Sequence, residues 1–121
     1  QIAIESDYEP KELKRFIDKL PPQTYGINYD IGNSASLGYI PNEEFNYYFN
    51  RIKHIHVKDR ILNGPTVPLG KGRADIKGCF SLLKKYEYSG NFSMQTARDD
   101  ANNHIGVMLQ YMKYVENLLN N

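Results

Sequence analysis

Neither sign of charge prevails in these 121 residues: fifteen Lys and Arg stand against fourteen Asp and Glu, for a formal net charge of +1. A general nucleic-acid or membrane-surface binder usually carries a basic excess or patch, so both partner classes are disfavoured. No apolar run approaches the ~20 residues a membrane span needs, and no signal-peptide pattern is visible. The one cysteine, Cys79, excludes an internal disulfide. It lies in a helical apolar pattern and reads as a small buried hydrophobe rather than a nucleophile. An initiator Met is also lacking: the chain opens on the strand-like "QIAIES" with no lead-in, as expected of a fragment or a processed product. The default expectation is a soluble cytoplasmic protein of one small domain, residues 1–121, with a modest core.

What is present is a strand-then-helix pattern repeated four times. "QIAIES" alternates and leads into Leu13, Phe16, Ile17 and Leu20 at helical spacing, ended by Pro21-Pro22. "TYGINYDIGN" alternates with Ile27, Tyr29 and Ile31 on one face, followed by a Gly/Ser loop and an amphipathic run through Phe45, Tyr48, Phe49 and Ile52. "HIHVKDR" is followed by the long Gly/Pro-rich loop "ILNGPTVPLGKGRA". Asp75 is then placed to N-cap a helix whose buried side is Ile76, Cys79, Phe80, Leu83 and Tyr86. "NFSMQTAR" precedes a last helix striped by Ile105, Met108, Leu109, Met112, Val115 and Leu119. One helix between successive strands implies a parallel α/β sheet of right-handed βαβ units.

The strand faces turned away from the helices are polar, which an open doubly wound sheet would not tolerate. They carry Ala3 and Glu5, then Asn28 and Asp30, then His54, His56 and Lys58, then Ser93 and Gln95. Polar groups near the C-terminal ends of four strands fit a (β/α)8 barrel, whose active sites sit at that rim. Such barrels need about 250 residues, so the chain reads as half of one. Four strands alone leave two open edges, so the expected partner is an N-terminal half-barrel or a second copy.

Glu5, Asp30, His56 and Gln95 offer two carboxylates, an imidazole and an amide oxygen from four adjacent strands. That donor set suits a divalent ion such as Mn²⁺, Mg²⁺ or Co²⁺, with Zn²⁺ also admissible; the alternative is a set of separate polar residues in a solvated barrel mouth. In "KHIHVKDR", His54, His56, Lys58 and Arg60 alternate with Ile55 and Val57. The two imidazoles lie about 6.6 Å apart along a strand, so either could ligate or both could bracket one ion. A lone strand His is more often a satisfied core residue, but two in phase with a Lys and an Arg favour a site.

"GINYDIGNSASLGY", "HIHVKDR", "VPLGKGRADI" and "YSGNFSMQTARD" together resemble the C-terminal half of the xylose isomerase-like TIM barrels. Within these, the similarity is to the sugar phosphate isomerase/epimerase group, which also contains the family-2 apurinic endonucleases. The resemblance implies one divalent metal, Mn²⁺ first, held at the rim by Glu5, Asp30, His56 and Gln95 on strands 5 to 8. It implies a small sugar or sugar phosphate as substrate, contacted by Asn33, where ketose epimerases often carry a His, and by Arg60. The implied chemistry is proton transfer beside a carbonyl through an enediolate, making the chain part of a metal-dependent isomerase or epimerase. Epimerases of the group exchange the proton between two Glu residues, at the positions of Glu5 and Gln95. Gln95 can donate an oxygen to a metal but cannot act as a base. That leaves a one-base isomerisation with Glu5 as base, or a lyase-type (dehydratase) reaction. The other class is a non-catalytic half-barrel that binds a ligand or assembles with a partner. Three histidines are too few for the trinuclear zinc site of the endonucleases.

Smaller signals complete the set. Lys58 is expected to face the pocket as an electrophile, His54 to sit a layer deeper, and Arg98 to meet a phosphate or carboxylate of the substrate. "PLGKGRAD" invites a phosphate-loop reading, but it lacks the Walker spacing and is better explained by helix capping through Asp75. His104 fits a surface or cap role, and Tyr39 is a candidate for stacking on a sugar.

Overall fold

Ile27, Tyr29, Ile55 and Val57 alternate with polar residues along two strands, and all four are buried. In the computed structural model, which describes residues 1–121, this alternation builds a one-sided core. The elements in chain order are β1 (Ile2–Ile4), α1 (Pro10–Ile17), β2 (Tyr25–Asp30), α2 (Ile31–Ser36) and α3 (Pro41–Tyr48). After a 3₁₀ turn (Phe49–Arg51) come β3 (Ile52–Val57), β4 (Asp59–Arg60), β5 (Thr66–Val67), α4 (Ile76–Lys85), β6 (Asn91–Met94) and α5 (His104–Asn120). β1, β2, β3 and β6 pair in that order, all parallel, giving the four expected βα units. Helices cover one face, where Leu13, Ile17, Phe45, Tyr48, Ile76, Cys79, Phe80 and Leu83 complete the core.

Register on the other face depends on a bulge. Ile27 pairs with Ile52 but Asn28 pairs with His54, so Lys53 is the extra residue of β3. Without it, every following side chain of β3 would meet β2 from the wrong face. Gly26 makes the bulge possible, because a Cβ there would lie 2.8 Å from the Arg51 carbonyl oxygen and against the Lys53 stem. Beyond the bulge, Asp30 pairs with His56 and both point inward.

Two segments differ from expectation. The stretch after Asp30, expected as a Gly/Ser loop, begins with α2: Asp30 Oδ1 accepts the Asn33 backbone N–H at 2.8 Å and caps it. Ile31 therefore opens a helix rather than extending β2, and is buried there instead. Gly and Ser have poor intrinsic helix propensity, and the cap and the packing of this short turn outweigh it. The loop after β3 holds the β4–β5 hairpin, and it folds around Asp59. That carboxylate, fully buried, accepts from the backbone N–H groups of Gly70 and Gly72 at 2.9 Å and of Ala74 at 3.0 Å. The amides that suggested a phosphate loop thus bind a carboxylate of the same chain, while Asp75 caps α4 through Gly78 N–H at 2.9 Å.

The last helix differs too. Of its expected buried stripe only Val115 is buried; Ile105, Leu109, Met112 and Leu119 remain exposed. α5 docks instead through Val115 with Tyr114 and Leu118.

A second buried carboxylate sits within the helical layer. Glu44 on α3 accepts from Tyr29 Oη at 2.7 Å, Ser34 Oγ at 2.5 Å and Tyr48 Oη at 3.0 Å. Burial pushes its pKa up, partly offset by these three hydroxyl donors. Burial and the nearby Glu44 hold the Tyr29 and Tyr48 phenols above their ordinary value, so both stay protonated and donate. Arg51, also buried, donates to the carbonyls of Ile17, Leu20 and Tyr25 and so ties α1 and β2 to the start of β3.

Asp59→Ala should lower the unfolding free energy by roughly 3–5 kcal/mol in urea titrations, since three loop amides lose their acceptor. Because Glu44 binds its proton more tightly folded than unfolded, its contribution is full below the ordinary glutamate pKa and is lost as pH rises through the raised value. The melting temperature of the Glu44→Gln variant relative to the unchanged protein should therefore rise as the pH is increased from about 4. A difference that stays flat with pH contradicts the assignment.

Candidate metal centre

Parallel strands bring their C-terminal ends to one rim, and three of them deliver donors to a common point. Glu5 follows β1, Asp30 ends β2 and His56 lies one residue before the end of β3. His56 Nδ1 is 3.3 Å from Glu5 Oε2 and 3.5 Å from Asp30 Oδ2. One donor atom from each residue lies within 4.8 Å of the others. Donors about 2.1 Å from one ion are separated by about 3.0–3.4 Å along the edges of an octahedron or tetrahedron, and the two separations from His56 are close to that range. Asp30 Oδ2 supplies a further observation. It is buried and accepts no hydrogen bond, its close cation being the Lys58 ammonium at 2.9 Å. Two carboxylates and an imidazole suit Mn²⁺, Mg²⁺, Co²⁺ or Zn²⁺.

Polar neighbours hold this group in place. Asn28 Nδ2 donates to Glu5 Oε2 at 3.0 Å and lies 3.3 and 3.2 Å from the two ring nitrogens of His56, of which at most one can accept. Asn33 Nδ2 donates to Glu5 Oε1 at 2.8 Å. Arg60 donates through Nη1 to Asn33 Oδ1 at 2.8 Å and through Nε to the Gly64 carbonyl at 2.9 Å. Lys58 follows β3 with its ammonium turned to the site, and Gly32 lets it pass: a Cβ on Gly32 would fall 2.9 Å from the Lys58 backbone carbon. A narrow cleft lined by Glu5, Asp30, Asn33, Ser34 and Glu44 leads inward from the site, with about 20 Å³ of space for a water centre, room for roughly one molecule.

Six of the residues singled out from the sequence are thus gathered in contact: Glu5, Asp30, Asn33, His56, Lys58 and Arg60. Gln95 makes no hydrogen bond to any of these residues. It lies just past β6, its backbone N–H donates to Val57 O at 3.0 Å, and its exposed side chain makes no hydrogen bond. His54 sits one layer below His56, bonded to Ser93 Oγ at 2.8 Å, with the two rings perpendicular and 5.5 Å apart; the pair does not bracket one point. Arg98 is exposed, beside His104, Val107 and Met108. His104 accepts the Asp99 backbone N–H at 3.1 Å where α5 begins, consistent with a capping role. Tyr39 donates to the Asp7 carbonyl at 3.2 Å, fastening two loops of the rim. Two residues went unassigned in the sequence. Asn28 carried a usable signal, being in phase with Asp30 two residues on; Glu44 carried none, since an acid in the first turn of an amphipathic helix ordinarily faces water.

The sequence profile of the family described as "Xylose isomerase-like TIM barrel" matches residues 2–115. An inosose dehydratase of Clostridium tetani (strain Massachusetts / E88) is 27% identical over 126 residues, covering 88% of this chain and 42% of that protein. Among solved structures, a xylose isomerase domain protein from Planctomyces limnophilus superposes with a TM-score of 0.80 at 22% identity, over 96% of this chain and 45% of that one. A D-tagatose 3-epimerase-like protein gives 0.70 at 21% identity, over 97% and 48%. The chain spans less than half the length of each of these relatives. Most of the curated proteins it matches are named as inosose dehydratases, and another is named as an L-ribulose-5-phosphate 3-epimerase. No helix is long and apolar enough to cross a membrane. A parallel βα repeat with a polar inner face, matched by one profile over nearly its whole length, places the chain in the xylose isomerase-like TIM barrel family as part of that barrel.

Proposed function

We propose that the chain carries the reactive part of an enzyme that abstracts a proton beside the carbonyl of a sugar or sugar phosphate, the step from which isomerisation, epimerisation and dehydration diverge. The convergence of Glu5, Asp30 and His56, with Lys58 against them, supports this reading above any other observation. Glu5, Asp30 and His56 would hold a divalent cation, Mn²⁺ first, which when bound supplies Lewis acidity toward a carbonyl oxygen. Glu5 is the general base: its carboxylate takes the C–H proton, and the electron pair of that bond moves into the carbonyl to give an enediolate. The Lys58 ammonium offers positive charge where the oxygen becomes negative. His54, Arg60 and Arg98 are the proposed substrate contacts, with Arg98 suited to an anionic group.

Return of the proton to the neighbouring carbon, with a proton passing from one enediolate oxygen to the other, completes an isomerisation; departure of the hydroxyl of the next carbon, protonated to water, completes a dehydration. Inversion at one carbon needs a second base on the opposite face, and Gln95 has no basic group to fill that role. That Gln95 cannot act as this base, together with the name of the Clostridium tetani relative, favours dehydration as the second reading. The four units are proposed as the C-terminal half of the barrel, closed by a complementary half along the free edges of β1 and β6 and over the exposed stripe of α5.

In the closed barrel loaded with Mn²⁺, solvent deuterium should enter the carbon beside the carbonyl of one member of a panel of ketoses, ketose phosphates and inososes. Glu5→Gln should slow that exchange by about 10²- to 10⁴-fold; undiminished exchange rules Glu5 out as the base. In analytical ultracentrifugation the 121-residue chain by itself should self-associate, and a stable monomer with cooperative unfolding argues against the open edges needing a partner.

A further inference from the structure

We propose that Asn33 is a positioning residue that fixes the Glu5 carboxylate and couples it to Arg60, rather than a contact to substrate; this rests on the metal-centre reading above. An Asn side chain has two N–H donors on one atom and two lone pairs on the other. At Asn33 both ends are committed inside the chain. Nδ2 donates to Glu5 Oε1 at 2.8 Å. Oδ1 accepts from Arg60 Nη1 at 2.8 Å and faces Lys58 Nζ at 3.4 Å. The backbone N–H of the same residue donates to Asp30 Oδ1 at 2.8 Å. One residue therefore touches both carboxylates and both cations of the site.

The partners leave a single arrangement of the amide. Its nitrogen must face a carboxylate and its oxygen must face two cations, so the reversed amide would set like against like at both ends. Asp at this position would place a second carboxylate against Glu5, and an apolar residue would leave Glu5 Oε1 and Arg60 Nη1 without partners. The backbone beneath is equally constrained. Asn33 lies in the first turn of α2, capped by Asp30, while the next residue, Ser34, donates to the buried Glu44 at 2.5 Å. With Asn28 holding Oε2 and Asn33 holding Oε1, the plane of the Glu5 carboxylate is set from both sides. Arg60 touches none of the three proposed ligands, its side-chain hydrogen bonds going only to Asn33 and Gly64. Its influence on the centre, beyond its charge, passes through Asn33.

Mn²⁺ titrations of the full chain, read from the electron paramagnetic resonance of free and bound ion, test this. Asn33→Ala should weaken Mn²⁺ binding about 10- to 100-fold and broaden the bound-ion spectrum, with the melting temperature and circular dichroism little changed. Should Asn33→Ala fail to fold, Asn33→Ser carries the same expectation. Arg60→Lys keeps the charge but loses the planar fork. It should weaken binding to a lesser degree in the unchanged protein and not at all in the Asn33→Ala background, the non-additivity expected of two residues acting through one contact. Equal affinity in Asn33→Ala and the unchanged protein overturns the proposal alone, as does an Arg60→Lys effect of the same size in both backgrounds. Absence of Mn²⁺ binding by the unchanged protein overturns the metal centre and this inference together.

Discussion

Asp30 divides its two oxygens between architecture and chemistry, and the arrangement around it follows from that division. Oδ1 accepts the Asn33 N–H, ending β2 and starting α2 in the same residue. Oδ2 turns inward to Lys58 and His56. Because the cap decides where α2 begins, it also decides where Asn33 and Ser34 stand. Asn33 then meets Glu5, and Ser34 meets Glu44. A carboxylate used for only one of these purposes could be placed by side-chain packing alone. One used for both makes the backbone turn and the reactive group a single rigid object, in which a shift in either is felt by the other.

Three of the buried charged residues, away from the metal centre, are stabilised in different ways. Asp59 is surrounded by backbone amides of a loop that otherwise has little regular structure, so the charge organises the loop. Arg51 gathers carbonyls from the end of α1, the residues after it and β2. Glu44 is met only by hydroxyls and carries the desolvation cost in its raised pKa. Asp59 and Arg51 each sit where backbone groups meet a buried charge, whereas Glu44 links side chains of β2, α2 and α3.

Much of this was legible from residue pattern. Alternation in "NYD" and "HIHV" predicted which residues face inward, and the spacing Ile76, Cys79, Phe80, Leu83 predicted the buried side of α4, because two-residue and 3.6-residue periods follow directly from backbone geometry. Glu5, Asp30 and His56 were legible as a set because parallel strands bring equivalent positions to one rim. What escaped depends on contacts distant in sequence. Glu44 looks like an ordinary solvated acid until Tyr29 and Ser34 arrive from β2 and α2. The bulge at Lys53 leaves no local trace. Gln95 was grouped with the ligands by strand phase; it follows directly on β6, where its backbone N–H still bonds to Val57 O of β3. The stripe on α5 is a real amphipathic pattern, but periodicity identifies a face without naming what covers it.

The strand order has a consequence for assembly. All four strands run the same way, so the free side of β1 and the free side of β6 are not interchangeable. Each exposes backbone donors and acceptors slanted along one direction, and the twist of the sheet gives the arc a fixed handedness. A hairpin or an antiparallel strand could cap one edge but could never bridge from one to the other. Only another arc of parallel strands with matching tilt and stagger can do that. The sheet is therefore a polar connector with a leading and a trailing side, and its directionality filters assembly partners before any side chain at the rim is consulted.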